Sequence, residues 1–446
     1  MEFLWTDKSF LTVLIIACVG ILYSMRRLPA RMALQRIMRR PLAVSAGVVL
    51  LFFLTIAVLD SIHIHFTALD RNEGVSQQKT GTVLDWLLYP LGDFYEKTYS
   101  APLALKLYTS EMRVIDGKVE QIYPLLKYPS FASKTAVIAN EVKQSRTGFC
   151  SKLDLDCFAN ARNDDFKMAK VQSQARRTFI YQSIVLSFIY TLLMGLILYT
   201  LGAVWHRYKR GQWFFKRSTS AKAVGFIFIV MVFIVCILYL LSRQLHVFGT
   251  GKIGQDILYY AVKSIRTGLV IGLLTTLIML PLALLLGIAA GYFGGIVDDG
   301  IQYLYTTLSS IPGILLITAS ILSMQTFIAN HPEYFPTLAD SADARLFALC
   351  AILGVTSWTS LCRLLRAEVL KLREVDYVQA AVALGTRPFM IIFRHLLPNV
   401  MHIVVITLVL DFSFLVLAEA VLSYVGVGVS PMTISWGNMI NGARLE

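Results

Sequence analysis

The chain has 446 residues, of which 56% are hydrophobic and 15% charged. A soluble globular chain carries roughly 25% charged residues, so a wholly water-soluble fold is excluded. The net charge of +13 comes from 41 Lys and Arg against 28 Asp and Glu, but the cations gather in short stretches between apolar runs, which marks membrane topology and not a nucleic-acid partner.

A hydrocarbon core about 30 Å thick takes about 20 mostly apolar residues per helix. Eight stretches qualify: 9–23, 42–59, 179–205, 223–241, 267–293, 301–328, 346–365 and 400–425. Barrel strands would alternate over roughly ten residues instead. The predicted fold class is an all-α polytopic membrane protein.

In chain order, residues 1–59 hold two helices. Arg26, Arg27, Arg31, Arg36, Arg39 and Arg40 fill the loop between them. Lys and Arg in short loops resist translocation, so this loop is predicted inside. Glu2 and Asp7 precede the first helix and the arginines follow it, unlike a cleavable signal peptide. Residues 60–178 are predicted to form a periplasmic domain, with Trp86, Tyr89, Phe94, Tyr95, Tyr99, Tyr123 and Tyr128 scattered through it. Cys150 and Cys157 lie there and either close a small ring in that oxidising compartment or stay as two thiols. Cys18, Cys236, Cys350 and Cys362 sit in apolar helices, where cysteine behaves as a small hydrophobe. Residues 179–222 add a third helix and a second basic loop, with Arg207, Lys209, Arg210, Lys216, Arg217 and Lys222.

Residues 223–446 read as a compact array of helices with short loops. A turn at 249–252 leads into Ile257, Ala261 and Ile265 at helical spacing, predicted as a separate amphipathic helix at the outer membrane face. The segment 291–299 is a tight inside turn, and 330–345, with Pro332 and Pro336, an outside loop. Gly249-Thr-Gly-Lys252 is no phosphate loop: that motif needs Gly where His246 stands and Ser or Thr where Ile253 stands. No catalytic constellation or metal-ligand spacing emerges, so the chain reads as a conduit and not an enzyme.

The stretch 366–398 is polar and, with Arg363 just before it, basic, through Arg366, Lys371, Arg373, Arg387 and Arg394. Asp376 is a good N-cap for a short helix through Ala380, Ala381 and Ala383. Gly385 is a natural stop, Pro388 follows it, and Pro398 opens the next span. By residue type alone this is either a plain connection or a rigid lever held below the membrane.

Gln379-Ala-Ala381, Gly385 and Leu397-Pro398, with thirteen positions from Gly385 to Pro398, resemble the EAA loop of ABC importer permeases. Arg394-His-Leu-Leu-Pro-Asn399 resembles the version found in the peptide branch, and Gln379 departs from its usual Glu. Gly287-Ile-Ala-Ala-Gly-Tyr-Phe-Gly-Gly295 with Asp298, Ser310-Ile-Pro312, Ala418-Glu-Ala-Val-Leu-Ser423 with Gly426 and Gly428, and Ser435-Trp-Gly437 follow that branch in order. The chain is similar to the C-type permease subunit of dipeptide and oligopeptide importers. The likeness covers the segment from about Ala223 onward and leaves the N-terminal half unmatched.

The resemblance implies a type I ABC importer permease core, with extra N-terminal helices and an external domain. Asp376, Tyr377, Gln379, Ala380, Ala381, Gly385, Arg387 and Pro398 would then form the ATPase-coupling loop. The implied partners are a sister permease, two cytoplasmic ATPase subunits and a periplasmic substrate-binding protein, within the lipid bilayer of a bacterial inner membrane. ATP and Mg would sit on the ATPases, with no cofactor on this chain. Family members add one helix after the S-W-G segment, so a tail beyond Glu446 is expected. Where the branch carries G-T-D-x-x-G-R-D, this chain has Gly249-Thr-Gly-Lys-Ile-Gly-Gln-Asp256, which removes an ion pair. Asp411 and Glu419 share one predicted span, about 80° apart around the helix, and either border one translocation path or, for Glu419, hold a helix break. A secondary transporter and a membrane-anchored sensor built on 60–178 are the rival classes. Peptides are the default cargo; nickel chelates, sugars and modified peptides stay open.

Overall fold

A computed structural model of the chain describes residues 5–24, 40–69, 76–92, 95–115, 118–124, 126, 173–197, 200, 219–335 and 337–444. Cys150, Cys157 and the basic loops 25–39 and 201–218 lie outside the described residues. Among the described residues, seven helices are long and apolar enough to cross a membrane: Pro41–Ser61, Ser173–Ile197, Ala223–Ser242, Ile257–Phe293, Gly313–Asn330, Leu338–Arg373 and Pro388–Val425. A further helix, Trp5–Ser24, occupies the first predicted stretch. The protein is an all-α polytopic membrane protein, with two small hairpins among the described residues.

In chain order we label helices α1 (Trp5–Ser24), α2 (Pro41–Ser61), α3 (Val83–Leu87), α4 (Tyr89–Gly92), α5 (Ser173–Ile197), α6 (Thr219–Ser242), α7 (Ile257–Phe293), α8 (Gly295–Ser310) and α9 (Gly313–Asn330). Then come α10 (Leu338–Arg373), α11 (Asp376–Ala383), α12 (Pro388–Ile391), α13 (Leu397–Val425) and α14 (Trp436–Arg444). The hairpins are β1 (His63–Leu69) with β2 (Ser76–Thr82), and β3 (Glu111–Ile115) with β4 (Lys118–Ile122), each antiparallel.

Three expectations change. The predicted amphipathic helix at 257–265 is not separate: α7 runs unbroken from Ile257 to Phe293 across Pro281. A proline is tolerated inside a membrane helix because neighbouring groups satisfy the freed carbonyl. The predicted span 301–328 is two helices, because Pro312 forces Ile311 into extended backbone (φ −83°, ψ 131°) and α9 starts afresh at Gly313. The predicted loop 330–345 is already helical from Leu338, where Thr337 caps α10 by accepting the Asp340 N–H at 3.1 Å.

The described chain falls into two units. One comprises residues 1–23, 56–83 and 263–445. Its core gathers Met279, Ala283, Trp358, Leu361, Leu365 and Val369, all nearly or fully buried. α7 and α10 meet here at Gly291, where an added Cβ would lie 2.7 Å from the Val369 Cβ and 2.9 Å from the Arg366 carbonyl oxygen. Gly287, one turn earlier, faces Cys362 and Leu365 in the same way. Small residues four apart let membrane helices approach to backbone distance.

α1 is stapled to this unit by its first turn. The Thr6 N–H donates to Asp343 Oδ2 at 3.1 Å, and the Thr6 hydroxyl donates to Asp343 Oδ1. Asp7 is fully buried and accepts from Arg266 Nε at 3.0 Å. Hairpin β1–β2 also belongs here, and the Thr82 hydroxyl donates to buried Asp60 at 2.8 Å.

The other unit comprises residues 24–55 and 84–262. Phe179 and Ile180 of α5 and Leu238 of α6 pack against a buried cluster of Leu241, Val247 and Leu258. The segment 249–256, which departs from the peptide branch, builds its own charge cluster. His246 Nδ1 lies 2.6 Å from Asp256 Oδ2, and its Nε2 lies 3.8 Å from Glu96, all three side chains being buried. Asp256 also caps α7, accepting the Tyr259 N–H at 3.0 Å. Burial alone pulls the His246 imidazole down, but hydrogen bonds and charge from Asp256 and Glu96 outweigh it and push the pKa up to about 9.

A raised folded pKa means the stabilisation is complete below the ordinary value of 6.5 and disappears as pH rises through about 9. The wild type should therefore exceed His246→Gln by roughly 3 kcal/mol near neutrality, and the gap should close by about pH 10. Thermal unfolding of the detergent-solubilised chain across that range checks both the size and the sign.

Candidate coupling loop and helix pair

The region that would carry the coupling residues is built by the ends of α10 and α13. α10 leaves the core at Val369, which is fully buried, and ends at Arg373. Two clamps hold that end. Arg366 donates from Nε to Asp298 Oδ1 at 2.5 Å and from a terminal nitrogen to Asp298 Oδ2 at 2.7 Å. Arg373 donates to the Tyr292 carbonyl at 3.3 Å. Both clamps tie α10 to the turn between α7 and α8. The bidentate pair holds the Asp298 carboxyl below the usual carboxylate range, through its hydrogen bond to Arg366.

After Glu374 the chain turns into α11, a helix of eight residues whose N-cap is Val375, in extended backbone and with no side-chain cap, and not the expected Asp376, which is its first residue. Val378 is fully buried and Ala381 packs beside it against the same core as Val369. The opposite side of α11 faces out: Gln379, Ala380, Val382 and Ala383 are exposed, and Leu384 just beyond is 85% exposed. The helix stops at Gly385, whose φ of 73° suits a residue without Cβ. The Thr386 N–H donates to the Ala381 carbonyl at 3.1 Å and the Gly385 N–H to the Val382 carbonyl at 2.9 Å, a Schellman closure.

α12 then starts at Pro388 and runs through a π turn, Ile392–Leu396, into α13. Pro398 has no N–H to offer the preceding turn, and the Leu397 N–H reaches back to the Ile392 carbonyl instead. The Arg394-His-Leu-Leu-Pro motif thus falls on this wider turn. Asn399 Nδ2 donates to Tyr377 Oη at 2.6 Å, which ties α11 to the start of α13. Ile391, Leu396 and Val400 are buried beneath, while Arg387, Arg394 and Pro398 are exposed.

Asp376, Tyr377, Gln379, Ala380, Ala381, Gly385, Arg387 and Pro398 therefore fall in one short stretch at the ends of two long helices. Asp411 and Glu419 do not stay together. Glu419 is buried, and accepts from the Ser423 hydroxyl at 2.7 Å and also from Ser435. Ser423 in turn accepts the Val429 N–H at 3.2 Å, just past Gly426, where α13 ends. Ser435 caps α14 by accepting the Asn438 N–H at 3.1 Å. The S-W-G motif is a helix start fastened onto the end of α13. Asp411 instead lines a cavity of about 440 Å³ between α10 and α13 with Ser360, Arg363, Leu364, Thr407 and Leu410. The reading of Arg363 as one more cation of a basic stretch missed this position; its spacing from Ser360 and Leu364 on one helix face was the available signal.

Residues 283–444 match the family model for the binding-protein-dependent transport system inner membrane component. The dipeptide transport system permease protein DppC of Lactococcus lactis subsp. cremoris is 32% identical over 200 residues, covering 45% of this chain and 53% of the relative. The oligopeptide transport system permease protein OppC of Bacillus subtilis is 27% identical over 240 residues, 50% of this chain and 73% of the relative. The glutathione transport system permease protein GsiD of Pectobacterium atrosepticum is 28% identical over 201 residues, 45% of this chain and 61% of the relative. The chain thus spans about half the length of the first of these relatives.

A depressed carboxylate pKa gives stability that is present above the ordinary Asp value of about 3.9 and lost as pH falls through the lowered one. Asp298→Asn should cost about 2 kcal/mol at neutral pH, as loss of a charged hydrogen-bonded pair does. The difference from wild type should shrink once the pH drops below about 4, which unfolding curves of the two proteins in acid and neutral buffer can check.

Proposed function

We propose, from the match of residues 283–444 to the binding-protein-dependent transport system inner membrane component, that this chain is the membrane permease subunit of an ATP-driven peptide importer. It forms half of the translocation pathway beside a sister permease. A periplasmic binding protein delivers the peptide, and two cytoplasmic ATPases, which hold ATP and Mg, drive the cycle. The 366–398 stretch lies on the cytoplasmic side and 60–178 on the periplasmic side.

The observation that carries this reading is the construction of α11. Its buried edge, at Val378 and Ala381, is anchored in the core, and its outward edge offers small residues and Leu384 to a partner. Tyr377 links it to Asn399 of α13, while two further clamps fix α10. A push on this helix moves α10 and α13 together, because no flexible linker intervenes to absorb it. Closure of the ATPases would supply that push, and rocking of the two long helices would alternate access. Asp411, midway along α13, belongs to the path. Glu419 belongs to the α13–α14 joint.

Gly385→Arg tests the lever. A side chain at this positive φ costs about 1–2 kcal/mol and loosens the Schellman stop, and the guanidinium obstructs the docking edge. ATP-driven peptide uptake should fall at least about tenfold with the protein still in the membrane fraction, whereas Gly385→Asn, which tolerates this backbone region, should retain most of it. Uptake at the wild-type rate in Gly385→Arg would refute the lever.

A further inference from the structure

We infer that the cavity between α10 and α13 is a transit site for a dipolar ligand, with Asp411 receiving an ammonium group and Arg363 a carboxylate. This rests on the importer reading and names how the cargo is handled inside the membrane.

The two charged groups reach the cavity from different helices. Ser360, Arg363 and Leu364 follow one another at helical spacing on α10, and Thr407, Leu410 and Asp411 do so on α13. Among the described residues they line one cavity without forming an ion pair with each other. Asp411 Oδ2 is shielded from solvent and accepts no hydrogen bond. Arg363 is exposed, positioned by the Tyr305 ring 5.1 Å from its guanidinium carbon and by the Ser309 hydroxyl at 3.5 Å.

Two facts decide what such a surface meets. An ionised side chain at mid-bilayer costs about 2.5–3.5 kcal/mol on insertion scales, so this face turns toward water or protein and away from lipid. Opposite charges held apart in one cavity are each satisfied by a ligand that carries both signs, also held apart. A peptide with free ends has that pattern, whereas a simple cation or anion would satisfy one group and be repelled by the other. The cavity is widely open to its surroundings, and its volume of about 440 Å³ falls in the range of about 300–1,000 Å³ typical for small-molecule sites. Ser360 and Thr407 add neutral hydroxyls to the same lining, whose oxygens can accept from a peptide N–H.

The test measures equilibrium binding of radiolabelled tri-alanine to the purified permease complex without binding protein, with N-acetyl-tri-alanine and tri-alanine amide as competitors. The wild type should prefer the free tripeptide over each capped form by about tenfold, the size of a charge-assisted hydrogen bond. Asp411→Asn should lose the preference against the acetylated form alone, and Arg363→Gln the preference against the amide alone. Asp411→Glu and Arg363→Lys, which keep the charges, should retain both preferences and guard against loss through misfolding. Equal binding of free and capped peptides by the wild type overturns the site, as do wild-type preferences in both neutral variants or loss of both preferences in either one. ATP-driven uptake of tri-alanine by the wild-type complex is followed in parallel. Uptake that persists while the preferences fail to shift sinks the site alone; absence of any ATP-driven uptake sinks the importer reading and the site with it.

Discussion

The contact on which the rest of this architecture depends is the backbone-close seam between α7 and α10 at Gly287 and Gly291. In a bilayer the hydrophobic effect gives helices no reason to associate, so close packing has to do that work. The two glycines bring Leu365 and Val369 into full burial. The same apolar cluster continues without interruption into Val378, Ile391 and Leu396. The short helix α11 is therefore seated on the seam itself. Asp298 and Arg366 close the seam where it meets polar surroundings, with both carboxylate oxygens engaged.

Polar groups within the long helices divide by how they are satisfied. Glu419 is enclosed by hydroxyls and serves the joint between α13 and α14. Asp411 sits in the same helix yet lines a cavity whose other wall carries a guanidinium. A buried acid with local donors reads as structural; one that shares an open space with an opposite charge on another helix reads as a place of passage. Their separation explains why angular position along one helix could not sort them.

Much of this was legible in the chain itself because membrane helices obey length and apolarity so strictly. The stop at Gly385 and the proline at 398 are local signals, and local geometry followed from them, whereas the cap expected at Asp376 falls one residue earlier, at Val375. What sequence reading missed was set by contacts distant in the chain. Continuity of α7 through Pro281 depends on neighbours and not on the proline. The break at Ile311 and Pro312 was visible as a dipeptide but was outweighed by a long apolar run. His246 had no motif to announce it, since its partners Glu96 and Asp256 converge only after folding. Arg363 looked like topology because a cation in sequence carries no information about which helix it will face.

The staple on α1 has a consequence for biogenesis. Asp7 meets Arg266 across 259 positions of chain, and Thr6 meets Asp343 across 337. A ribosome delivers these partners long after the first helix has emerged, since chains grow at only about 5–20 residues per second. The amino end of that helix must wait hydrated, or in the care of the insertion machinery, until the later segments arrive. Assembly of this chain thus finishes by returning to its beginning.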